Sequence, residues 1–462
     1  MGLTDLGATG NVWRRQRQMI FKGDEPINFQ DQLPEKVDVA IIGGGVAGVA
    51  TAWHLSRRGL RVLIIEKGRV ACEQSSRNWG WIRQQGRDAD ELPIMIDAIR
   101  EWEEIDRTVG EGIGFKRTGV LYLASSKAEL HGYETWLGVA RPYQIDTRMV
   151  TAAEVSELVP GNSSKWIGGL FTASDGRGEP FTAVPALARW LQQHNNVLIR
   201  EHCAARCLDL EAGHVSGVWT EDGLVKADAV LLTGGAWSGK FLRNHGIRLP
   251  QLTIRSTVAR TAPVDEFFPG AAADGAFAFR RRNDGGYTIA PGGFSEHFVG
   301  IDSLMDLRLW LPVLRDSLKS VRLKFGGDLV SRLFPRRHWT QHEISPFVLT
   351  RVLNPAPSGP ALKWMRTQLQ ENLPVLADVP FEESWAGFID VLPDVVPVMD
   401  AVDPLPGLFL GTGFSGHGFG FGPGAGKVLA NKILGQDDEF NLDRFRYNRF
   451  FDGTPMVPGP GL

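Results

Sequence analysis

Gly43, Gly45 and Gly48 form a Gly-x-Gly-x-x-Gly set directly after the apolar run Val37 to Ile42. Residues of this type at this spacing can hold a pyrophosphate. Gly43 permits a sharp turn, Gly45 lets bare backbone approach the phosphates, and Gly48 lets a helix pack closely on a strand. The first N–H groups of that helix are unpaired and lie at the positive end of its dipole, so an anion is held without a cationic side chain. Glu66 follows about 20 residues on, where a carboxylate accepts hydrogen bonds from both hydroxyls of an adenosine ribose and repels a 2′-phosphate. The elements that must position these groups surround them. Val37 to Ile42 reads as a buried parallel strand, Val49 to Arg58 as the opening helix, and Leu60 to Ile65 as a second strand ending at Glu66. Together they predict a dinucleotide-binding βαβ unit. A lone glycine motif says little in a chain with 54 glycines, but here strand, turn, helix and acidic residue are all present.

The bulk properties narrow the class. At 462 residues the chain exceeds what one core usually serves, so two domains are expected. A net charge of −3 gives no general attraction to nucleic acid or anionic lipid and directs attention to small-molecule chemistry. Cys72, Cys203 and Cys207 are too few for a disulfide framework and lack Cys-x-x-Cys spacing, so they read as buried small hydrophobes in a reducing compartment, and no metal site is expected. No apolar run approaches the roughly 18 residues of a membrane span, and no signal-like stretch precedes the first strand. The expectation is therefore no transmembrane segment and a cytoplasmic location. Trp13, Met19, Ile20 and Phe21 read as packing on the protein's own surface.

Further along, Val70 to Arg87 reads as a loop, Leu92 to Val109 as a helix, and Gly114 to Ala124 as strand-like. Thr151-Ala152-Ala153-Glu154 has the form of a capping box. Ala183 to Gln193 is a helix and Val197 to Ile199 a strand; a hairpin follows around Gly213 and Asp222-Gly223, and its last strand ends in Thr233-Gly234-Gly235. Between Leu249 and about Val379, strands (Thr253 to Ala259, Tyr287 to Ala290) mix with helical stretches (Leu304 to Leu323, Ala361 to Asn372), which suggests an inserted domain. Arg332, Arg336, Arg337 and His338 read as a solvated face. Leu408-Phe409-Leu410 is a last buried strand, leading into Gly411 to Gly418 and a helix over Gly424 to Ile433.

Three glycine-rich strand exits thus stand at Gly43, Gly234 and Gly413. Holding a cofactor along its whole length needs several close backbone approaches, which favours FAD over NAD. The expected fold class is α/β, a Rossmann-like FAD-binding domain (34–100, 152–240, 380–445) with an interleaved α+β substrate domain (101–151, 241–379) and a C-terminal tail (446–462). NAD-dependent reduction leaves the Gly413 loop without a task.

These features resemble the D-amino-acid oxidase superfamily of FAD-dependent oxidoreductases, in the branch with sarcosine oxidase, glycine oxidase and bacterial D-amino-acid dehydrogenases. The matching stretches are Val37 to Lys67, Ser75-Ser76-Arg77-Asn78-Trp79-Gly80-Trp81-Ile82-Arg83, Ala227 to Ser238, Trp385-Ala386-Gly387 with Pro393-Asp394, and Gly411 to Gly426. The middle matches loosely. The resemblance implies that Gly43, Gly45, Val46, Ala47, Gly48 and Glu66 hold the ADP half, with Lys67 beside the adenine and Ala205 touching it through backbone. It places Ser75, Ser76 and Arg77 at the pyrophosphate or ring, Thr233 and Gly234 along the cofactor channel, and Gly413, Phe414, Ser415, Gly416 and His417 near the flavin's pyrimidine edge. The implied reaction is oxidation of a carbon–nitrogen bond by hydride transfer to flavin N5, the imine then hydrolysing.

Arg83, Thr288 and His417 are the catalytic candidates that follow from the resemblance. Arg83 maps onto an arginine that holds the substrate carboxylate, though pairing with Asp88 or Asp90 is its simpler reading. Gly420 stands where relatives carry a second, lysine arm, so either another basic residue substitutes or the substrate is not a simple amino acid; the space left points to a bulky amino acid or an N-substituted one, with a D-amino acid slightly preferred. Thr288 aligns with a lysine that assists oxygen reduction; its absence leans toward a dehydrogenase, the acceptor being O2 or another species. Ser384 to Leu392 contains no cysteine, so the FAD is expected to be noncovalent. His417 also reads as a hydrogen-bonding partner of its glycine loop, Tyr287 as a hairpin aromatic, and Trp79 and Trp81 either as a cavity wall or as interface filling. The alternatives to an amino-acid substrate are a carboxylate-free amine or a non-catalytic FAD subunit of a larger complex; a homo-oligomer is left open.

Overall fold

The computed structural model describes residues 26–317, 320–325 and 338–459. Its eight-stranded sheet has a parallel centre: Lys36–Ile42 lies between Val62–Ile65 and Leu224–Leu232, flanked in turn by Val197–Arg200 and Leu408–Thr412. Ile42 is in register with both Ile65 and Leu232, and Leu232 with Leu410. The strands therefore end together at the edge where Gly43, Glu66, Thr233 and Gly413 follow, the edge at which open α/β sheets bind ligands.

Helices Val46–Ser56, Leu92–Val109, Pro180–His194 and Gly418–Leu434 cover one face in a continuous apolar core. The last of these helices begins six residues before the start that its sequence predicts, because glycines and Pro423 read there as helix breakers. Its burial overrides propensity. An added Cβ would stand 2.5 Å from Val46 Cγ2 at Gly422, 2.6 Å from Ile94 O at Gly424 and 2.6 Å from Ala50 C at Gly426. Those glycines let the helix press against Val46–Ser56 and Leu92–Val109 together.

A ten-stranded sheet builds the second region, with Leu252–Thr261 paired along nearly its full length to Phe381–Val391. Gly168–Thr172 pairs with Val120–Ala124 and Thr147–Thr151 in this sheet. Gly168–Thr172 and Phe381–Val391 are expected on the dinucleotide side, in 152–240 and 380–445, but their pairing partners belong to the ten-stranded sheet. Helix Leu92–Val109, divided by the expected boundary at 100, packs as one piece on Gly418–Leu434. Non-local pairing decides these memberships, and local pattern does not carry it.

Leu304 to Leu323 is two helices, Ile301–Met305 and Leu307–Ser317, followed by the strand Val321–Lys324. The capping box forms, with Glu154 N donating to Thr151 Oγ1 at 3.3 Å and Thr151 N donating to Glu154 Oε2 at 2.8 Å. The expected loop after Glu66 holds a short helix, Gln74–Arg77, and a short strand, Trp81–Ile82, that joins a three-stranded ribbon. All three cysteines are free and buried. No described helix is long and apolar enough to cross a membrane. Arg332, Arg336, Arg337 and the N-terminal apolar residues lie outside the described residues.

Candidate active site

A cavity of about 810 Å³ runs from the strand exits into the space between the two sheets. That is toward the upper end of the roughly 300–1,000 Å³ typical of small-molecule sites. At its base Gly43 has φ +110°, and a Cβ there would stand 2.5 Å from Thr233 O. Gly48 meets Gly43 O in the same way, at 2.3 Å. Thr233 Oγ1 donates to Gly43 O at 3.1 Å and ties the first strand exit to the second. Helix Val46–Ser56 has no side-chain cap from Gly45 and no acidic residue in its first turn. Its Val46 N–H instead donates to Ser75 Oγ at 2.9 Å. The exposed helix terminus, bare glycine backbone and an adjacent hydroxyl suit a pyrophosphate.

Glu66 is buried, its oxygens accepting Gly44 N at 2.8 Å and Gly68 N at 2.7 Å, and burial raises its pKa. Each oxygen keeps a lone pair for a ribose hydroxyl. Lys67 Nζ is fixed by Glu73 Oε1 at 2.6 Å and Arg351 O at 2.8 Å, above the Trp237 ring. Of the other expected cofactor residues, Gly45, Ala47, Ser75, Arg77, Ala205, Gly234, Phe414, Gly416 and His417 line the cavity, whereas Gly48, Ser76, Gly413 and Ser415 stand behind its wall. Arg77 clamps the loop to the ten-stranded sheet, donating to Ala386 O and Asn354 Oδ1 at 2.8 Å each. Gly387 has no room for a larger side chain without displacing Arg77, whose Cβ lies 3.3 Å from an added Cβ.

Asp390 was not anticipated. Its Oδ2 accepts from Gly413 N at 2.7 Å, Gln251 Nε2 at 3.1 Å and Thr412 Oγ1 at 3.2 Å. Gln251 also donates to Gly235 O at 3.1 Å, so this buried carboxylate, raised in pKa by burial, couples the second and third strand exits. A single Asp in an apolar strand carries no motif that announces such a role. Asp390→Ala is expected to lower stability by about 2–4 kcal/mol, because several donors lose their acceptor in a desolvated place, while Asp390→Asn loses less than half of that. Thermal unfolding with the flavin-to-protein absorbance ratio measures both; an unchanged Ala variant would show that the carboxylate anchors nothing.

Arg83 follows strand Trp81–Ile82, with its guanidinium 5.4 Å from the Tyr122 ring centre and 6.0 Å from that of Trp81. It does not pair with Asp88 or Asp90, which Arg444 takes at 2.8 and 3.2 Å. Trp79, Trp81, Tyr122 and Tyr133 stand in sequence along the wall, with ring centres 5.8, 6.4 and 5.8 Å apart. The two tryptophans are thus cavity wall. Gly80 between them has φ +77°, and Arg280 Nε donates to Trp79 O at 2.6 Å to hold the turn.

His417 is the residue before helix Gly418–Leu434, its Nδ1 3.6 Å from Glu91 Oε2. Burial, with the Arg87 charge added, pushes its pKa down to about 4, so the ring is neutral near pH 7. A folded-state value below the ordinary 6.5 means that protons favour the unfolded chain. The stability His417 contributes is complete above pH 6.5 and is lost as the pH falls toward 4. Buried His54, at about 3, and His245, at about 4, act in the same direction. His417→Asn should therefore reduce, without abolishing, the slope of stability against pH in this window; denaturant unfolding at a series of pH values checks it, and an unaltered slope would contradict the assignment.

Two expectations change. Thr288 does not line the cavity: its hydroxyl accepts from Arg282 at 3.2 Å and Arg280 at 3.4 Å, within a buried charge cluster around Glu179. The lean toward a dehydrogenase drawn from it has no geometric support. Nor does Gly420 leave space, since a Cβ there would stand 3.0 Å from Trp81 O and 3.2 Å from Ile82 Cα. Tyr287 is a core aromatic, its hydroxyl donating to Phe268 O at 2.9 Å and its ring stacked on Phe267.

A βαβ-based sheet whose glycine exits open into a cavity shared with a second sheet defines a two-domain dinucleotide-dependent oxidoreductase of the flavoprotein type. The family model described as FAD dependent oxidoreductase matches residues 38–432, and the chain belongs to that family, whose cofactor is FAD, normally held noncovalently. Human mitochondrial sarcosine dehydrogenase is 24% identical over 90% of this chain and 42% of its own length. Glycine oxidase of Pseudomonas putida is 24% identical over 86% of this chain and 95% of its own. The chain spans less than half the length of the first mammalian relatives it matches. Among solved structures, the L-amino acid deaminase of Proteus myxofaciens in complex with anthranilate superposes with a TM-score of 0.88 at 27% identity, covering 92% of this chain and 96% of that one.

Proposed function

We propose that the protein oxidises the carbon–nitrogen bond of an α-amino acid or N-substituted amino acid, and that the imine product hydrolyses to a carbonyl compound and an amine. The observation that supports this reading is one continuous cavity joining the glycine strand exits to Arg83 beneath an aromatic wall. FAD, when bound, supplies the two-electron acceptor for the hydride that leaves the substrate α-carbon. Gly43, Gly45, the start of helix Val46–Ser56 and Glu66 would hold it, and Ser384 to Leu392 offers no cysteine for a covalent link.

Arg83 anchors the substrate carboxylate through its planar fork, which fixes the α-carbon's position. Trp79, Trp81 and Tyr122 exclude water from the reacting carbon. The substrate amine must be neutral for its lone pair to form the C=N bond as hydride departs. Cationic Arg83 nearby favours its deprotonated form. His417, neutral at physiological pH, contributes a hydrogen-bonding edge at the cavity rather than a charge. The slight preference for a D-amino acid has no residue behind it, and the 27% likeness to an L-amino acid deaminase of Proteus supports including L-amino acids in the test.

The test is anaerobic bleaching of the visible flavin band by a panel of L- and D-amino acids, N-methyl amino acids and the amines formed by decarboxylating them. An amino acid is expected to bleach it and its decarboxylated amine is not. Equal rates for both would replace this reading with amine oxidation, and no bleaching by any member would favour a non-catalytic subunit.

A further inference from the structure

We propose that Arg87 is a second anion-binding residue of the substrate site, sharing with Arg83 the carboxylate of the bound amino acid. This rests on the amino-acid reading above. Arg87 is 4% exposed and lines the same cavity. Its Nη1 is buried with no hydrogen-bond partner, and its Nε donates only to the backbone oxygen of Arg83, at 3.3 Å. No described carboxylate forms an ion pair with either guanidinium. Glu91 Oε2 lies 3.6 Å from the neutral His417 ring and bonds neither arginine, and the Asp175 oxygens accept Gln84 N at 2.7 Å and Gln85 N at 3.1 Å.

The contrast with arginines that serve the fold is direct. Arg69, Arg280 and Arg449 are also buried, and each meets a carboxylate: Glu201 at 2.8 Å, Glu179 at 3.0 Å and Asp394 at 2.7 Å. A buried cation is ordinarily matched in this way, because an unmatched one forfeits hydration without Coulombic return. Around Arg87 the charges of Glu91 and Asp175 offset burial only in part and without bonding it, and Arg83 is a like charge beside it. Burial and that neighbour draw its pKa down to about 10, which leaves it protonated at neutral pH. The missing partner is an acceptor-only group with two oxygens, presented from the cavity. A carboxylate meets that need, accepting from the unpartnered Arg87 Nη1 and from the Arg83 guanidinium, whose Nη1 also donates to Gln85 O.

Backbone packing at Gly420 closes the helix side of the site to any long basic side chain, so the second cation comes from the loop between Ile82 and Leu92. The substrate class follows as one with a free α-carboxylate. Esters and amides of the same amino acid leave two like charges facing each other and should be poor ligands.

The experiment titrates holoenzyme with anthranilate and with aniline, the same ring without the carboxylate, and reads the dissociation constant from the perturbation of the flavin spectrum. Wild type is expected to bind anthranilate and not aniline. Arg87→Gln should raise the anthranilate constant by roughly 30-fold or more with FAD content unchanged, and Arg87→Lys by about fivefold to tenfold, because a point charge does not reproduce the fork. If Arg87→Gln binds within about threefold of wild type while Arg83→Gln loses binding, Arg87 is not an arm and the amino-acid reading stands. If neither substitution matters, or aniline binds as well as anthranilate, the carboxylate reading fails with it. Should Arg87→Gln not retain FAD, the Lys variant decides alone: an unchanged constant there overturns the proposal.

Discussion

Arg83→Ala is expected to lower kcat/KM for the preferred amino acid by about 2–4 kcal/mol of transition-state stabilisation, a fall of roughly 30- to 700-fold. The guanidinium sits against the Tyr122 and Trp81 rings and its Nη1 donates to Gln85 O, while Asp88 and Asp90 are committed to Arg444, so no carboxylate of the described residues neutralises its charge. Removing it leaves a carboxylate desolvated against aromatic faces, and the cost falls on binding and on α-carbon placement together. Arg83→Lys should recover part of the loss. For the decarboxylated amine, a poor substrate to begin with, the Ala variant should be nearly indistinguishable from wild type. A comparable drop for acid and amine would mean that Arg83 supports the cavity wall and not the carboxylate.

Much of this site was readable because its chemistry is local. The turn at Gly43, the approach at Gly45 and the acidic end of the second strand need residues close together in sequence, and Gly43, Gly45 and Glu66 reach the cavity together. Gly413 and Ser415 were legible as a glycine loop, but their part is to fold back onto Asp390 behind the cavity wall. Asp390 and Arg87 were missed for one reason: each acts through groups brought to it by non-local pairing. Nothing beside Asp390 in sequence marks it as the acceptor for Gly413 and Gln251. Arg87 looks like any arginine after a loop until its burial and its unpartnered nitrogen are seen. Thr288 falls where the resemblance is loosest, and neither it nor its strand neighbours Tyr287 and Ile289 line the cavity. The interleaved plan was visible from composition, whereas Gly168–Thr172 and Phe381–Val391 could be placed only by their partners.

The strongest effect on cofactor content is expected at the first strand exit, and two substitutions there separate folding from binding. At Gly45 the backbone is extended, φ −78° and ψ 177°, a conformation that any residue adopts, and an added Cβ meets only Ser75 Oγ at 3.2 Å. Gly45→Val should therefore fold. Its methyl groups project where the pyrophosphate must approach the bare helix terminus, so FAD affinity should fall by about 100-fold or more, or roughly 3 kcal/mol, and the protein should purify nearly colourless. Gly43 differs in kind. Its φ of +110° and the 2.5 Å approach of an added Cβ to Thr233 O put strain into the backbone of two strand exits at once. Gly43→Ala should lose both FAD and thermal stability, the latter by about 2 kcal/mol or more even without cofactor. The measurements are the flavin released by acid, per protein, and thermal melting of cofactor-stripped protein. Acid should release the colour of wild type into the supernatant, as a noncovalent cofactor requires. Wild-type FAD content in Gly45→Val would remove the helix terminus from the cofactor site, and a stripped Gly43→Ala that melts like stripped wild type would show that the turn tolerates a side chain.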